Sequence, residues 1–144
     1  MGSGSRCTDY ICVSLNDERR VYEPSRILTR EMEEGIQDCL QCHRICLRTF
    51  SHLRTLELDA ELAEPEQLNL LLDCADLCRV SADFMLRISE LHVQVAELCC
   101  KACRRCQQLC ELPSGEDPIV LECAATCARC ANSCKRVVAT STRA

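Results

Sequence analysis

The chain has 144 residues, enough for one domain with a sizeable core, and its net charge of −5 argues against nucleic acid or an acidic membrane as the main partner. Apolar residues make up 47% of it but aromatics only 3%, with no Trp, so little β-structure is expected. Sixteen cysteines exceed the level that marks a disulfide scaffold, yet such scaffolds are turn-rich secreted chains, and Gly and Pro number only four each here.

Residues 1–24 read as an irregular leader with room for one short extra element. It opens on the linker-like Met1-Gly2-Ser3-Gly4-Ser5 and carries Cys7 and Cys12. Arg19-Arg20 is followed by Val21-Tyr22-Glu23-Pro24 rather than an apolar run. No export signal and no transmembrane span is expected, and a reducing cytoplasm is the expected compartment. Residues 25–139 read as one all-α domain. Ser25 is the expected N-cap of a first helix over residues 26–56, with Glu31, Glu33 and Glu34 in its early turns. After a connection at 57–64, Pro65 suits the first turn of a second helix over 66–87. Ser89 is the expected cap of a third, reaching about 111. Leu112-Pro113-Ser114-Gly115 breaks the chain. Asp117 at N-cap and Pro118 at the first helical position start a fourth helix, to about 139, and residues 140–144 are expected to fray. Short connections make sequential neighbours antiparallel, which gives an up-down-up-down four-helix bundle.

Thirteen cysteines fall at spacings of three and four within these helices. They are Cys39, Cys42 and Cys46 in the first, Cys74 and Cys78 in the second, Cys99, Cys103, Cys106 and Cys110 in the third, and Cys123, Cys127, Cys130 and Cys134 in the fourth. At about 100° per residue each set keeps to a stripe about 60° wide. The bundle core is therefore lined with thiol where Leu or Ile would normally sit. One or two buried thiols mean packing alone, but thirteen in register would leave an underpacked core unless something fills it. Disulfides within one helix suit the S–S torsion poorly. Structural zinc needs four ligands at one closed point, and iron–sulfur motifs place Cys on loops, with a Cys-Pro that is absent here.

A line of soft thiolates suits many Cu(I) ions sharing bridging sulfurs, because each Cu(I) can replace one proton and leave the core near neutral. Zn(II) at four thiolates leaves excess negative charge. A general thiolate sink for zinc or cadmium, like a prefolded metallothionein, stays open as the alternative. No nucleophile–base pair, phosphate loop or paired carboxylates point to an enzyme.

Cys39-Leu40-Gln41-Cys42-His43-Arg44-Ile45-Cys46, Asp73-Cys74-Ala75-Asp76-Leu77-Cys78 with Ser81-Ala82-Asp83-Phe84-Met85, Leu91-His92, and the run Cys123 to Cys134 together resemble the copper storage protein family. The resemblance spans residues 36–136. It implies Cu(I) storage by many thiolates inside a four-helix bundle, a homotetramer, and the cytosolic branch of the family. A copper chaperone or a low-molecular-weight thiol is the expected donor. The sequence departs from the family pattern at Ala96 and Leu53, where cysteines are common, and Cys100 is extra, about 100° off the stripe.

The antiparallel order gathers Met32, Met85 and His92 at one end of the stripes, an expected entry for copper through weaker ligands. Leu53, Leu68, Leu112, Ile119 and Leu121 gather at the other as an apolar plug. His43 lies about 40° from Cys39 and is a candidate flanking ligand, whereas His52 reads as surface.

Overall fold

A computed structural model describes residues 27–57, 65–112 and 116–141. The leader, with Cys7, Cys12 and the Ser25 cap, lies outside the described residues. Four helices follow in order: α1 Arg30–Glu57, α2 Pro65–Leu86, α3 His92–Cys110 and α4 Pro118–Ser141. α1 packs on α2 and α4, α3 packs on the same two, and the diagonal pairs make no close backbone approach. The chain therefore forms a closed ring of four helices, the expected antiparallel bundle, and no described helix is long and apolar enough to cross a membrane.

The helix ends follow from local chemistry. α1 begins four residues later than expected, because Thr29 supplies the cap: its Oγ1 accepts from the Met32 amide at 3.1 Å. Glu31 and Glu33 sit in that first turn, and Arg54 in the last, matching the helix dipole at both ends. α2 starts on Pro65, where a missing N–H costs nothing. It ends in a Schellman turn: the Ile88 amide donates to Met85 O at 3.0 Å and the Ser89 amide to Phe84 O at 2.9 Å. The residue in the left-handed position is Ile88, at φ 50°, where glycine is usual. A β-branched residue there costs about 1–2 kcal/mol.

Ser89 does not cap α3. It stands two residues ahead of the true N-cap, Leu91, which makes no side-chain cap bond. Ser89 instead closes the turn, its Oγ accepting from the Leu91 amide at 3.1 Å and its carbonyl from the His92 amide at 3.0 Å. α4 starts as expected: Asp117 Oδ1 accepts from the Ile119 amide at 2.9 Å, and its carbonyl takes the first helical bond from Leu121. The fourth helix runs on through Ser141, so Thr140 and Ser141 are helical where fraying was expected.

Small residues let the helices close in. Ala75, Ala82, Ala96, Ala124 and Ala131 are buried between them. At Gly35 an added Cβ would meet Val137 Cγ2 at 3.0 Å and Met85 Sδ at 3.2 Å. The underpacked core expected from the sequence is thereby avoided, because the close backbones bring the sulfurs into contact.

Candidate metal centre

The thirteen stripe cysteines are all buried, none more than 1% exposed. They are free thiols. Neighbouring Sγ atoms lie 3.6–3.9 Å apart within and across helices: Cys39 is 3.6 Å from both Cys134 and Cys130, Cys74 and Cys78 are each 3.6 Å from Cys103, and Cys46 is 3.8 Å from Cys127 and 3.9 Å from Cys123. Cys78 and Cys130 meet at 3.8 Å across the α2–α4 diagonal that the backbones leave open. Sulfur is therefore the material at the centre of the bundle.

Twelve of these thiols form five groups of four, with all four Sγ atoms of a group within 4.8 Å of one another. From one end they run Cys39–Cys99–Cys130–Cys134, Cys78–Cys99–Cys103–Cys130, Cys42–Cys74–Cys78–Cys103, Cys42–Cys46–Cys74–Cys127, and Cys46–Cys106–Cys123–Cys127. Each quartet shares two members with the next. The shared pairs are Cys99/Cys130, Cys78/Cys103, Cys42/Cys74 and Cys46/Cys127. They sit on α3 and α4, then α2 and α3, then α1 and α2, then α1 and α4. The shared edge steps once around the bundle as the column is traversed. An ion in one quartet thus has half its ligands in common with the next, and no wall of aliphatic side chains divides the column. Cys110 lies beyond the last quartet.

The thiols also polarise one another. Cys42, Cys74 and Cys99 are held below the ordinary thiol value, first by a hydrogen bond with Cys103; Cys39 is lowered first by Cys130, and Cys106 first by Cys110. Cys78 and Cys130 are pushed up, first by Cys103, and Cys46, Cys110 and Cys127 first by Cys106, with burial adding to each rise. The physical cause is shared: a buried sulfur keeps its proton when it serves as donor and loses it more readily when neighbours donate to it. Without metal the core holds a mixture of donor and acceptor sulfurs, because burying every one as thiolate is too costly.

The remaining predicted positions divide. Met32 and Met85 are buried at the Cys39–Cys134 end, but with Val137, Ile36 and Gly35 around them. That end is lined by aliphatic and thioether groups, with the two expected thioethers, Met32 and Met85, among them. His92 is half-buried and both its ring nitrogens are engaged, Nδ1 with Ser89 O at 2.8 Å and Nε2 with Ser141 Oγ at 3.1 Å. His43 belongs to none of the quartets. Its Nδ1 donates to the Ala75 carbonyl at 2.7 Å, tying α1 to α2. Cys100 is half-buried outside the quartets, with its thiol raised first by burial. His52 is not a bare surface residue: its Nε2 meets Asp117 Oδ2 at 2.6 Å.

The apolar plug at the other end needs correction. Leu53 and Leu68 are buried there, but Leu112 and Leu121 are about half exposed. Leu121 stands two residues before Cys123, on the opposite side of the helix, and Leu112 lies past the end of α3. Val120, three residues before Cys123, takes the place. The sequence reading also missed Thr49 and Ser81. Both are buried, and both hydroxyls lack a hydrogen-bond partner. Their spacing was legible: each stands three residues past the last cysteine of its helix.

Fold and site together define a class, a cysteine-cored four-helix bundle. The family model described as Csp, copper storage protein, matches residues 28–139, and the chain belongs to that family. No curated protein matches the chain. Among solved structures, the Nmul_A1745 protein of Nitrosospira multiformis is 31% identical at a TM-score of 0.67, over 77% of this chain and 97% of that one. Two structures from Streptomyces lividans are 24% identical at a TM-score of 0.65, over 76% of this chain and 92% of theirs, and share its fold. One is a mutant of Ccsp; the other describes copper loading to a cytosolic copper storage protein, with five coppers.

Proposed function

We propose that this chain stores Cu(I), many ions per chain, on the thiolates of Cys39, Cys42, Cys46, Cys74, Cys78, Cys99, Cys103, Cys106, Cys110, Cys123, Cys127, Cys130 and Cys134, without catalysis. The observation that carries this reading is the unbroken run of edge-sharing thiol quartets. Each bound Cu(I) displaces one thiol proton, so filling the column at about one ion per sulfur keeps the core close to neutral. Family membership supports the same reading.

Met32 and Met85 form the threshold for entry above Cys39 and Cys134, with His92 released from Ser141 when an ion passes and His43 flanking the column. The donor is a copper chaperone or a small thiol, and the compartment is the cytoplasm. A homotetramer is the assembled form. Leu40 and Leu47 on the outer face of α1, and Leu91 and Leu98 at the start of α3, are exposed in pairs seven residues apart and offer apolar contacts for it.

A second reading has one observation in its favour. A tetrahedral Zn(II)–thiolate site with bonds of about 2.3 Å has sulfurs about 3.8 Å apart, close to the spacings here, and three of the quartets share no member. Charge decides against it: three divalent ions on twelve buried thiolates leave about six uncompensated negative charges. Anaerobic titration of zinc-loaded protein with Cu(I), against a chelator of known Cu(I) affinity, tests the choice. Stoichiometric displacement of zinc by Cu(I) is expected; zinc retained against excess Cu(I) contradicts it.

A further inference from the structure

The described residues contain four buried hydroxyl side chains. Thr126 donates to the Glu122 carbonyl at 2.8 Å, and Ser133 donates to Asp38. Thr49 Oγ1 and Ser81 Oγ have no partner, although Thr49 is 0% and Ser81 1% exposed. Leaving a buried hydroxyl unpaired is destabilising, because its lost hydration is not replaced. A residue that needed only volume at these positions would be Val or Ala.

The repeat of the sequence explains where they stand. α3 reads Cys99-x3-Cys103-x2-Cys106-x3-Cys110 and α4 reads Cys123-x3-Cys127-x2-Cys130-x3-Cys134. In the same register α1 reads Cys42-x3-Cys46-x2-Thr49-x3-Leu53, and α2 reads Cys74-x3-Cys78-x2-Ser81-x3-Met85. Oxygen replaces sulfur at the third position in both. Because α1 and α2 are antiparallel, the two hydroxyls fall at opposite ends of the column. Thr49 stands one turn past Cys46, at the level of the Cys46–Cys106–Cys123–Cys127 quartet and Cys110. Ser81 stands one turn past Cys78, at the level of the Cys39–Cys99–Cys130–Cys134 quartet, which takes no sulfur from α2.

We infer that Thr49 and Ser81 are positioning residues for the loaded state, donating O–H···S hydrogen bonds to the metal-bound thiolates that end the column. The inference rests on the Cu(I)-storage reading. Thiols are weak acceptors, and in the unloaded core they already bond to one another. When Cu(I) binds, a thiol proton leaves for solvent and the sulfur becomes a strong acceptor. Sulfurs inside the column can bridge ions on both sides. Those at its ends have ions on one side only and keep more negative charge, so a donor is worth most there. A neutral hydroxyl is a poor match for Cu(I) itself, which makes hydrogen-bond donation, not coordination, its role.

Thr49→Val and Ser81→Ala remove each hydroxyl at little change in shape, and Thr49→Ser retains it. Unfolding temperature is measured for metal-free and Cu(I)-loaded forms, and Cu(I) affinity by chelator competition. The unloaded Thr49→Val and Ser81→Ala proteins are expected to melt at or above the wild-type temperature, because an unpaired buried group is gone. Loaded, each binds Cu(I) about tenfold more weakly at the same stoichiometry, while Thr49→Ser keeps the wild-type affinity. Unchanged affinity in both hydroxyl-free variants, or loaded and unloaded forms shifted equally, overturns the inference. A wild-type chain that takes up no Cu(I) overturns instead the storage reading beneath it, and is recognised before any variant is compared.

Discussion

Asp117 joins two structural roles in one carboxylate, and it lies where α4 meets α1. Oδ1 caps the helix through the Ile119 amide and Oδ2 holds His52 Nε2 at 2.6 Å. The His52 hydrogen bond, with help from the Ile119 amide, keeps the Asp117 carboxyl below the ordinary aspartate value. Asp117→Ala should destabilise the bundle by about 1 kcal/mol at neutral pH, read as a lower urea midpoint with unchanged slope. The sign with pH follows from a folded-state value below the unfolded one. The contribution is complete above the ordinary aspartate range and is lost as pH falls through the lowered value. The gap between wild type and variant should therefore close in acid; a gap that widens there contradicts the assignment. Gly35 is the second residue with little freedom. Its missing Cβ is what lets Met85 and Val137 lie against α1. Gly35→Val should cost about 1–3 kcal/mol through overpacking, and a variant as stable as wild type in urea would show that the helices are not held so closely.

Among the elements, α1, α3 and α4 each enter four of the five quartets and α2 enters three. For α4, Cys42–Cys74–Cys78–Cys103 alone does without its cysteines. Replacing Cys123, Cys127, Cys130 and Cys134 with Ala should therefore lower Cu(I) uptake by more than the four ligands removed, to less than half of wild type, in a chain that circular dichroism still finds helical. Loss of only four ions would mean that the sulfurs act singly and not as shared quartets. The sulfur stripes were legible in the sequence because helical spacing of a rare, chemically distinct residue has few readings. The start of α4 was legible because Asp117-Pro118 satisfies two requirements of a helix start at once. The turn after α2 was not: Ile88 takes a left-handed position that sequence assigns to Gly or Asn, and packing against the core holds it there. Ser89 was misplaced as a cap because a serine that bonds two residues ahead serves a tight turn equally well. The plug failed at Leu121 because an apolar residue near a helix start reveals nothing of its direction until its angle from Cys123 is counted.

At the scale of the whole molecule, the bundle is a folded shell around reactive material. Thiol contacts at 3.6 Å fill its core. Loading then stabilises it by mass action, since Cu(I) on shared, correctly spaced thiolates binds the folded chain in preference to the unfolded one. A loaded chain should melt well above the unloaded one, with the increase growing as ions are added, by differential scanning calorimetry under anaerobic conditions. The shape of the column gives the account its most direct test. Protein loaded anaerobically with excess Cu(I) and passed through gel filtration can be assayed for copper and for chain concentration in the same fractions. The account predicts copper co-eluting at about one ion per core thiol, on the order of ten or more per chain. Copper at only one or two ions per chain, or copper separating from the protein on the column, would contradict it.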